Sequence, residues 1–266
     1  MRIEGQAITI ERIEKDWLFL SISKLDGWVK VRLHRPLPLR VRQFPTEGNP
    51  PSGLDSPNGF VLKNALLTKK ADGWYVTICL EDPNVPEFNP DEVTPTWDNT
   101  LGLDAVLHED DYLATSENTK LPSLKSFRKS EKRLARVSNR KSAKKKGSKA
   151  RRKLAKREAR EHQRIARARK DHAFKTAHAV IRTNKKVIVH EDLNLKALSK
   201  RNKAKQDEDG KYLPNGQSAK SGLNKSWLDA AFGQFFTILE YIASKAGARV
   251  ITATFCNGAS NGQKYC

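Results

Sequence analysis

The strongest constraint on this chain is a block of positive charge at residues 125–170. These 46 residues contain 22 lysines and arginines but only three acids, so they carry most of the formal net charge of +20. Lysine, arginine and alanine favour helix and Gly147 interrupts the block, which predicts a hairpin of two helices. Charge this dense should attract a polyanion, and nucleic acid is the leading partner. A solvated linker or a non-specific binding arm is the alternative that the charge alone leaves open.

Length and composition exclude several other classes. The 266 residues suffice for one large domain or two small ones. Mean hydropathy is −0.67, and no run approaches the roughly 20 apolar residues that a membrane-spanning helix needs. The amino end carries no apolar signal segment, so we expect a cytoplasmic, nucleoid-associated protein. Its three cysteines, Cys79, Cys256 and Cys266, are too few for a disulfide framework or a complete zinc ribbon.

Alternating apolar and polar residues predict β-structure from residue 8 to about residue 79. Asp-Gly pairs at 26–27 and 72–73 stand between such runs and predict two hairpins, because glycine adopts the positive φ of tight turns. We interpret this region as a small barrel or curled sheet. Three tryptophans at hairpin positions favour core packing over base stacking: Trp17, Trp28 and Trp74.

An acidic, proline-rich segment at 82–98 predicts a domain boundary. Beyond it the pattern gives strands at 101–107, 112–116, 187–189 and 249–255, with the basic helices inserted among them. A polar loop is expected at 200–221, followed by a helix capped by Ser226 and stopped by Gly247. This order is typical of an α/β layer.

Two carboxylates stand out in these strands. Asp104 interrupts an apolar run, and Glu191 follows another one. A buried charge is unfavourable unless it is paired or bound to a cation, so two acids on adjacent strands indicate a Mg²⁺ or Mn²⁺ site. Hydrogen-bonded carboxylates at strand ends are the alternative, since 87 residues separate the two.

Several motifs, in this order, resemble the TnpB (OrfB) family of insertion-sequence proteins. These are transposase-associated, RNA-guided DNA endonucleases with a RuvC-like domain, related to the type V CRISPR effectors. The motifs are LGLD at 101–104, FRKSEKRL at 127–134, KKKGSK at 144–149, HEDLNL at 190–195 and LEY at 239–241.

The resemblance implies a fold and a site. Residues 1–98 would be a wedge-like β-barrel domain, and residues 99–266 an incomplete RuvC (ribonuclease-H-like) α/β core with a basic helical insertion at 125–170. Asp104 and Glu191 would be catalytic ligands of Mg²⁺ or Mn²⁺, and guide RNA and target DNA the partners. Phosphate contacts would come from the hairpin: Lys129, Arg133, Arg136, Arg140, Lys144, Lys145, Lys146, Lys149, Arg151 and Arg152.

The chain also departs from the family pattern. The resemblance implies that a helical segment at the amino end, a four-cysteine zinc ribbon and a third catalytic Asp are missing. Cys266 is then either a remnant Zn²⁺ ligand or an incidental terminal cysteine. Val106 stands where the family commonly has Gly. We therefore expect metal-assisted phosphodiester cleavage to be impaired. The alternatives are a catalytically dead RNA- or DNA-binding module and a decaying remnant.

Overall fold

The computed structural model describes residues 2–4, 8–22, 26–34, 41–42, 60–85, 87–108 and 110–253. The chain divides into two units, Met1–Glu87 and Phe88–Cys266. The division lies within the predicted linker, and residues 88–98 belong to the second unit. There the Arg249 guanidinium lies 3.2 Å from the Asp91 carboxylate and 3.4 Å from the Val93 carbonyl oxygen. Within these ranges, no helix combines the length and the apolar character needed to cross a membrane.

The first unit consists of strands. They are β1 (Arg2–Glu4), β2 (Ile8–Glu14), β3 (Trp17–Ile22), β4 (Trp28–Arg32), β5 (Val41–Arg42), β6 (Phe60–Lys69) and β7 (Trp74–Glu81). One sheet has the order β2-β3-β4; in the other, β6 pairs with β1, β5 and β7. Both predicted hairpins are confirmed, because β3 pairs antiparallel with β4 and β6 with β7. Gly27 precedes β4 with φ of +84°.

Buried side chains from both sheets form one core in this unit: Ile10, Leu18, Leu20, Ile22, Leu62 and Ala65. On β3 and β4 the inward positions alternate with outward ones, as the two-residue period of a strand requires. Among the described residues, neither sheet closes on itself.

The second unit is mixed α/β. Its elements are β8 (Thr100–Ala105), β9 (Asp111–Thr115), β10 (Lys120–Pro122), α1 (Ser126–Ser142), α2 (Lys149–Ile181), β11 (Val187–Glu191), α3 (Leu195–Leu198), β12 (Lys205–Gln206), β13 (Tyr212–Leu213), α4 (Gln217–Ala230), α5 (Phe232–Lys245) and β14 (Arg249–Ala253). A five-stranded sheet has the order β10-β9-β8-β11-β14. Strands β8, β11 and β14 run parallel, and β9 and β10 are antiparallel neighbours.

One face of this sheet is covered by helices. Leu101, Leu103 and Ile188 of the central strands join a core with residues of α2 and α5. Tyr112 stacks on Phe232 at 4.9 Å between ring centroids, and burial raises the pKa of its phenol. The side chains at alternate positions of the central strands, Asp104 and Glu191 among them, therefore lie on the opposite face.

The predicted basic hairpin is confirmed. Ser148 accepts a hydrogen bond of 3.2 Å from the backbone N–H of Arg151 and so caps α2. Gly147 has φ of +81° in the turn. Few apolar groups hold the two helices together, with Val137 buried on α1 and Ile165 on α2 in this stretch.

Two local predictions were wrong. Ser226 lies inside α4 rather than capping a helix, and the break comes at Ala231, whose φ is +53°. Residues 200–221 form a short β12–β13 hairpin and the start of α4 rather than one loop. The predicted stop at Gly247 agrees with its φ of +67°.

Candidate active site and nucleic-acid interface

The sheet register brings Asp104 and Glu191 together. His190 pairs with Leu103 in the parallel β8–β11 ladder, so the next residues along the two strands are Glu191 and Asp104. Parallel neighbours in register share a face and lie about 4.8 Å apart between strands. Two residues separated by 87 positions in the chain therefore lie side by side near the carboxyl ends of their strands.

Both carboxylates line a depression of about 440 Å³ on the sheet face opposite α2 and α5. Small or β-branched residues line its floor, among them Gly102, Ala114, Val189 and Ala253. A Cβ atom at Gly102 would lie 3.5 Å from the Cβ of Ser116, which is ordinary van der Waals contact. Asp104 and Glu191 are exposed, so a ligand can reach them from solvent.

Within the described chain, neither carboxylate forms an ion pair or a side-chain hydrogen bond. Two adjacent negative charges repel each other, and a bound cation would relieve that repulsion. Carboxylate oxygens are the ligands that Mg²⁺ and Mn²⁺ prefer, so the chemistry of the pair fits such an ion. Over the same residues no cluster reaches three His, Cys, Asp or Glu side chains.

His190 fixes the end of β11 from the other face. Its buried ring stacks on Phe236 with 3.9 Å between centroids, and Nδ1 donates to the Glu191 carbonyl at 2.9 Å. Since a carbonyl oxygen only accepts, the proton must be on Nδ1. Sequence inspection singled out no role for this histidine, although its position next to Glu191 was a signal.

Every acid of the basic hairpin has a cationic partner. Glu161 pairs with Arg133 at 2.8 Å, and Glu158 pairs with Lys141. The Lys141 ammonium holds the pKa of Glu158 below its usual range. Glu131 lies 2.8 Å from Lys225, which likewise lowers the pKa of that partly exposed carboxyl.

The predicted phosphate-binding residues divide into two groups. Arg133, Arg151 and Arg152 have partners inside the chain. Arg151 donates to the Lys144 carbonyl at 2.9 Å, and Arg152 donates to the Gly147 carbonyl at 3.0 Å. The others are exposed and form no ion pair or side-chain hydrogen bond with described residues: Lys129, Arg136, Arg140, Lys144, Lys145, Lys146 and Lys149.

A cationic cavity of about 720 Å³ lies between the ends of the two helices. It is lined by Ala150, Leu154 and six basic residues: Arg140, Lys144, Lys153, Lys156, Arg157 and Arg160. The last four were not among the predicted contacts. Their spacing of three or four residues along α2 places them on one helix face, which was the signal available in the sequence.

Asp229 anchors the start of the hairpin and was missed. It is 5% exposed and accepts hydrogen bonds from the backbone N–H groups of Phe127 and Arg128, at 2.8 and 2.9 Å. The Ser126 hydroxyl donates to it at 3.1 Å. The N-cap residue of α1, Lys125, provides no side-chain cap, so this distant carboxylate caps the helix in its place.

The remaining predicted side chains have different outcomes. The expectation of buried tryptophans was wrong, since Trp17, Trp28 and Trp74 are 38%, 62% and 64% exposed. Cys266 lies outside the described residues, so its predicted zinc role stays a prediction.

Comparison with known proteins identifies the class. Residues 78–202 match the family OrfB_IS605, described as "Probable transposase". That match includes both strands of the carboxylate pair and the whole basic hairpin.

A curated relative agrees with this class. The chain is 31% identical over 192 residues to the Escherichia coli (strain K12) protein named "Putative RNA-guided DNA endonuclease InsQ". The alignment covers 72% of this chain and 44% of the relative, so the chain spans less than half of that protein's length. The chain is thus similar to the OrfB (TnpB) family of insertion-sequence proteins, as its motifs predicted.

Proposed function

We propose that this chain is a TnpB-type, RNA-guided DNA endonuclease that cleaves phosphodiester bonds by metal-assisted hydrolysis. The observation that carries the proposal is the register that sets Asp104 beside Glu191 on an open sheet face, with no cationic partner among the described residues. The name of the relative supports RNA guidance and DNA as the target. In this proposal the five-stranded sheet is the RuvC-like core, and the first unit is the wedge domain.

Asp104 and Glu191 would hold Mg²⁺ or Mn²⁺ through their carboxylate oxygens. The chemistry that a bound divalent ion supplies is Lewis-acid activation of the phosphodiester and of the attacking water. The ladder between β8 and β11 fixes the spacing of the two carboxylates, and the His190–Phe236 stack holds the end of β11. The site is thus built on regular strands, which position ligands more rigidly than loops do.

The hairpin would hold the nucleic acids by charge. Seven exposed basic residues without described partners, together with the cationic cavity on α2, offer contacts to phosphates of either strand of a duplex. Such contacts read backbone shape and charge and leave sequence selection to base pairing with a guide.

A cleavage assay tests this function. The chain is co-expressed with the DNA that flanks its gene, so that an RNA encoded there can bind, and the complex is incubated with matching plasmid in Mg²⁺ or EDTA. We expect Mg²⁺-dependent cleavage that falls by at least about 100-fold in Asp104→Ala and in Glu191→Ala. The matched control is Asp171→Ala, which removes one negative charge from an exposed pair with Lys175.

The outcomes separate the alternatives. Cleavage unchanged by Asp104→Ala would overturn the assignment of the carboxylate pair. Salt-sensitive binding of the RNA without any Mg²⁺-dependent product would support the binding module instead of the nuclease.

A further inference from the structure

The sheet β2-β3-β4 of the first unit has one face in the core and one face outside it. Leu18 and Leu20 of β3 point into the core cluster, with Val29 and Val31 of β4 packed against it. The intervening residues occupy the opposite face. They form what we term the aromatic strip: Trp17, Phe19, Trp28, Lys30 and Arg32.

The aromatic strip is held together by ring and cation contacts. The Lys30 ammonium lies 4.6 Å from the ring centroid of Trp17 and 5.5 Å from that of Phe19. Trp28 meets Phe19 edge to face at 6.3 Å. These contacts bury Phe19 but leave Trp28 62% exposed, with Lys30 and Arg32 also exposed. The strip thus presents flat apolar surface and positive charge together.

Covering this exposed indole surface with a ligand would be favourable. The charge on the same face decides which ligand fits. A purely apolar protein surface would leave Lys30 and Arg32 desolvated without partners, whereas a nucleic-acid strand brings phosphates for the cations and bases for the rings. Glu14 pairs with Trp17 across the ladder, so the Trp28 end is the more favourable one for phosphate.

The register also sets the spacing. Trp17 pairs with Arg32 and Trp28 pairs with Ser21, so the two indoles are four residues apart along β3. That separation is about 13 Å at about 3.3 Å per residue, which leaves room for intervening nucleotides.

We propose that the aromatic strip binds unpaired nucleotides of a nucleic-acid strand. Bases stack on Trp28 and Trp17, and Lys30 and Arg32 contact the phosphates. This inference is independent of cleavage, because it involves neither the carboxylate pair nor the basic hairpin.

The test measures binding of fluorescent single strands of about 12 nucleotides to the full chain, as RNA and as DNA of the same sequence. About 0.3 M NaCl suppresses the purely electrostatic binding by the hairpin. We expect Trp28→Ala to weaken binding on the order of 10-fold, and Trp17→Ala to act in the same direction. The control is Trp97→Ala, at an indole that is 99% exposed and lies outside the aromatic strip, and it should leave affinity unchanged.

Two further measurements distinguish stacking from charge. Blunt duplex DNA hides its base faces, so Trp28→Ala should not weaken duplex binding. Lys30→Ala should flatten the slope of log affinity against log salt by about 0.7, while Trp28→Ala should leave the slope unchanged. If Trp28→Ala weakens the binding of RNA alone, the strip is specific for RNA. If it weakens the binding of single-stranded RNA and DNA alike, the strip accepts either nucleic acid.

Three results would overturn the proposal. The first is single-strand affinity unchanged in both tryptophan variants, and the second is an equal loss for duplex DNA. If Trp28→Ala unfolds, Trp28→Leu keeps apolar bulk without a large ring, and full affinity in that folded variant is the third.

Discussion

Acidic side chains serve two different ends in the second unit. Those at the basic hairpin are paired with internal cations or with backbone N–H groups. Glu158 pairs with Lys141, Glu161 with Arg133, and Asp229 with the first turn of α1. At the carboxyl ends of the central strands β8 and β11, Asp104 and Glu191 lie side by side and have no such partner among the described residues.

A carboxylate without a partner is informative in a strongly basic protein. With 50 lysines and arginines in the chain, a cationic neighbour is easy to supply, and the hairpin supplies one to every acid it contains. An acid with an internal partner stabilises the fold, so removing it should lower the free energy of unfolding. Two adjacent acids without such partners repel each other, so removing one should lower stability only when an external cation is bound.

Asp229 has the most internal partners of these acids, so its removal should destabilise the fold most. Asp229→Ala removes a buried carboxylate that accepts from two backbone N–H groups and the Ser126 hydroxyl. We expect the free energy of unfolding to fall by about 2–4 kcal/mol, since an uncapped and buried helix start is left behind. Urea denaturation followed by circular dichroism measures it.

A control defines the scale of that loss. Asp171→Ala breaks an exposed pair with Lys175 one turn along α2 and should cost under about 0.5 kcal/mol. Equal losses in the two variants would show that Asp229 contributes no more than a surface acid.

An intermediate loss of stability, which depends on pH, is expected at Glu158. Lys141 lowers the folded-state pKa of Glu158, so the pair stabilises the fold above the ordinary carboxyl value of about 4.3. That stability is lost as pH falls through the lowered pKa, because the folded state then takes up the proton. We expect Glu158→Gln to cost on the order of 1 kcal/mol at neutral pH and to reduce the acid sensitivity of thermal unfolding.

The comparison for this pH effect is Glu208→Gln, at an exposed acid in the turn between β12 and β13. That variant should keep the acid sensitivity of the parent chain. An unchanged pH profile in Glu158→Gln would contradict the pairing with Lys141 as its source.

Local patterns predicted much of this molecule. The Asp-Gly turns, the helix break at Gly147 and the strands around Asp104 and Glu191 each depend on a few neighbouring residues. The residues and the resemblance predicted that those two acids lie beside each other, and the β8–β11 register places them so.

The misses have a common physical cause. Asp229 caps a helix that begins 103 residues earlier, so no local pattern marks it as a cap. The tryptophans of the first unit alternate correctly, but which face of a strand is buried depends on the sheet packed against it. Ala231, between α4 and α5, adopts a positive φ that its residue type disfavours, so its residue type did not mark the break.

The smallest effect on stability is expected at the unmatched pair, and it separates the two kinds of acid. Asp104→Asn removes one of two adjacent negative charges, so in EDTA the free energy of unfolding should stay within about 0.5 kcal/mol of the parent value or rise. Mg²⁺ or Mn²⁺ should raise the thermal midpoint of the parent chain by mass action and leave that of the variant unchanged. Thermal unfolding with and without the metal measures both. A loss above about 1 kcal/mol in EDTA would class Asp104 with Asp229, as an acid whose partner is internal.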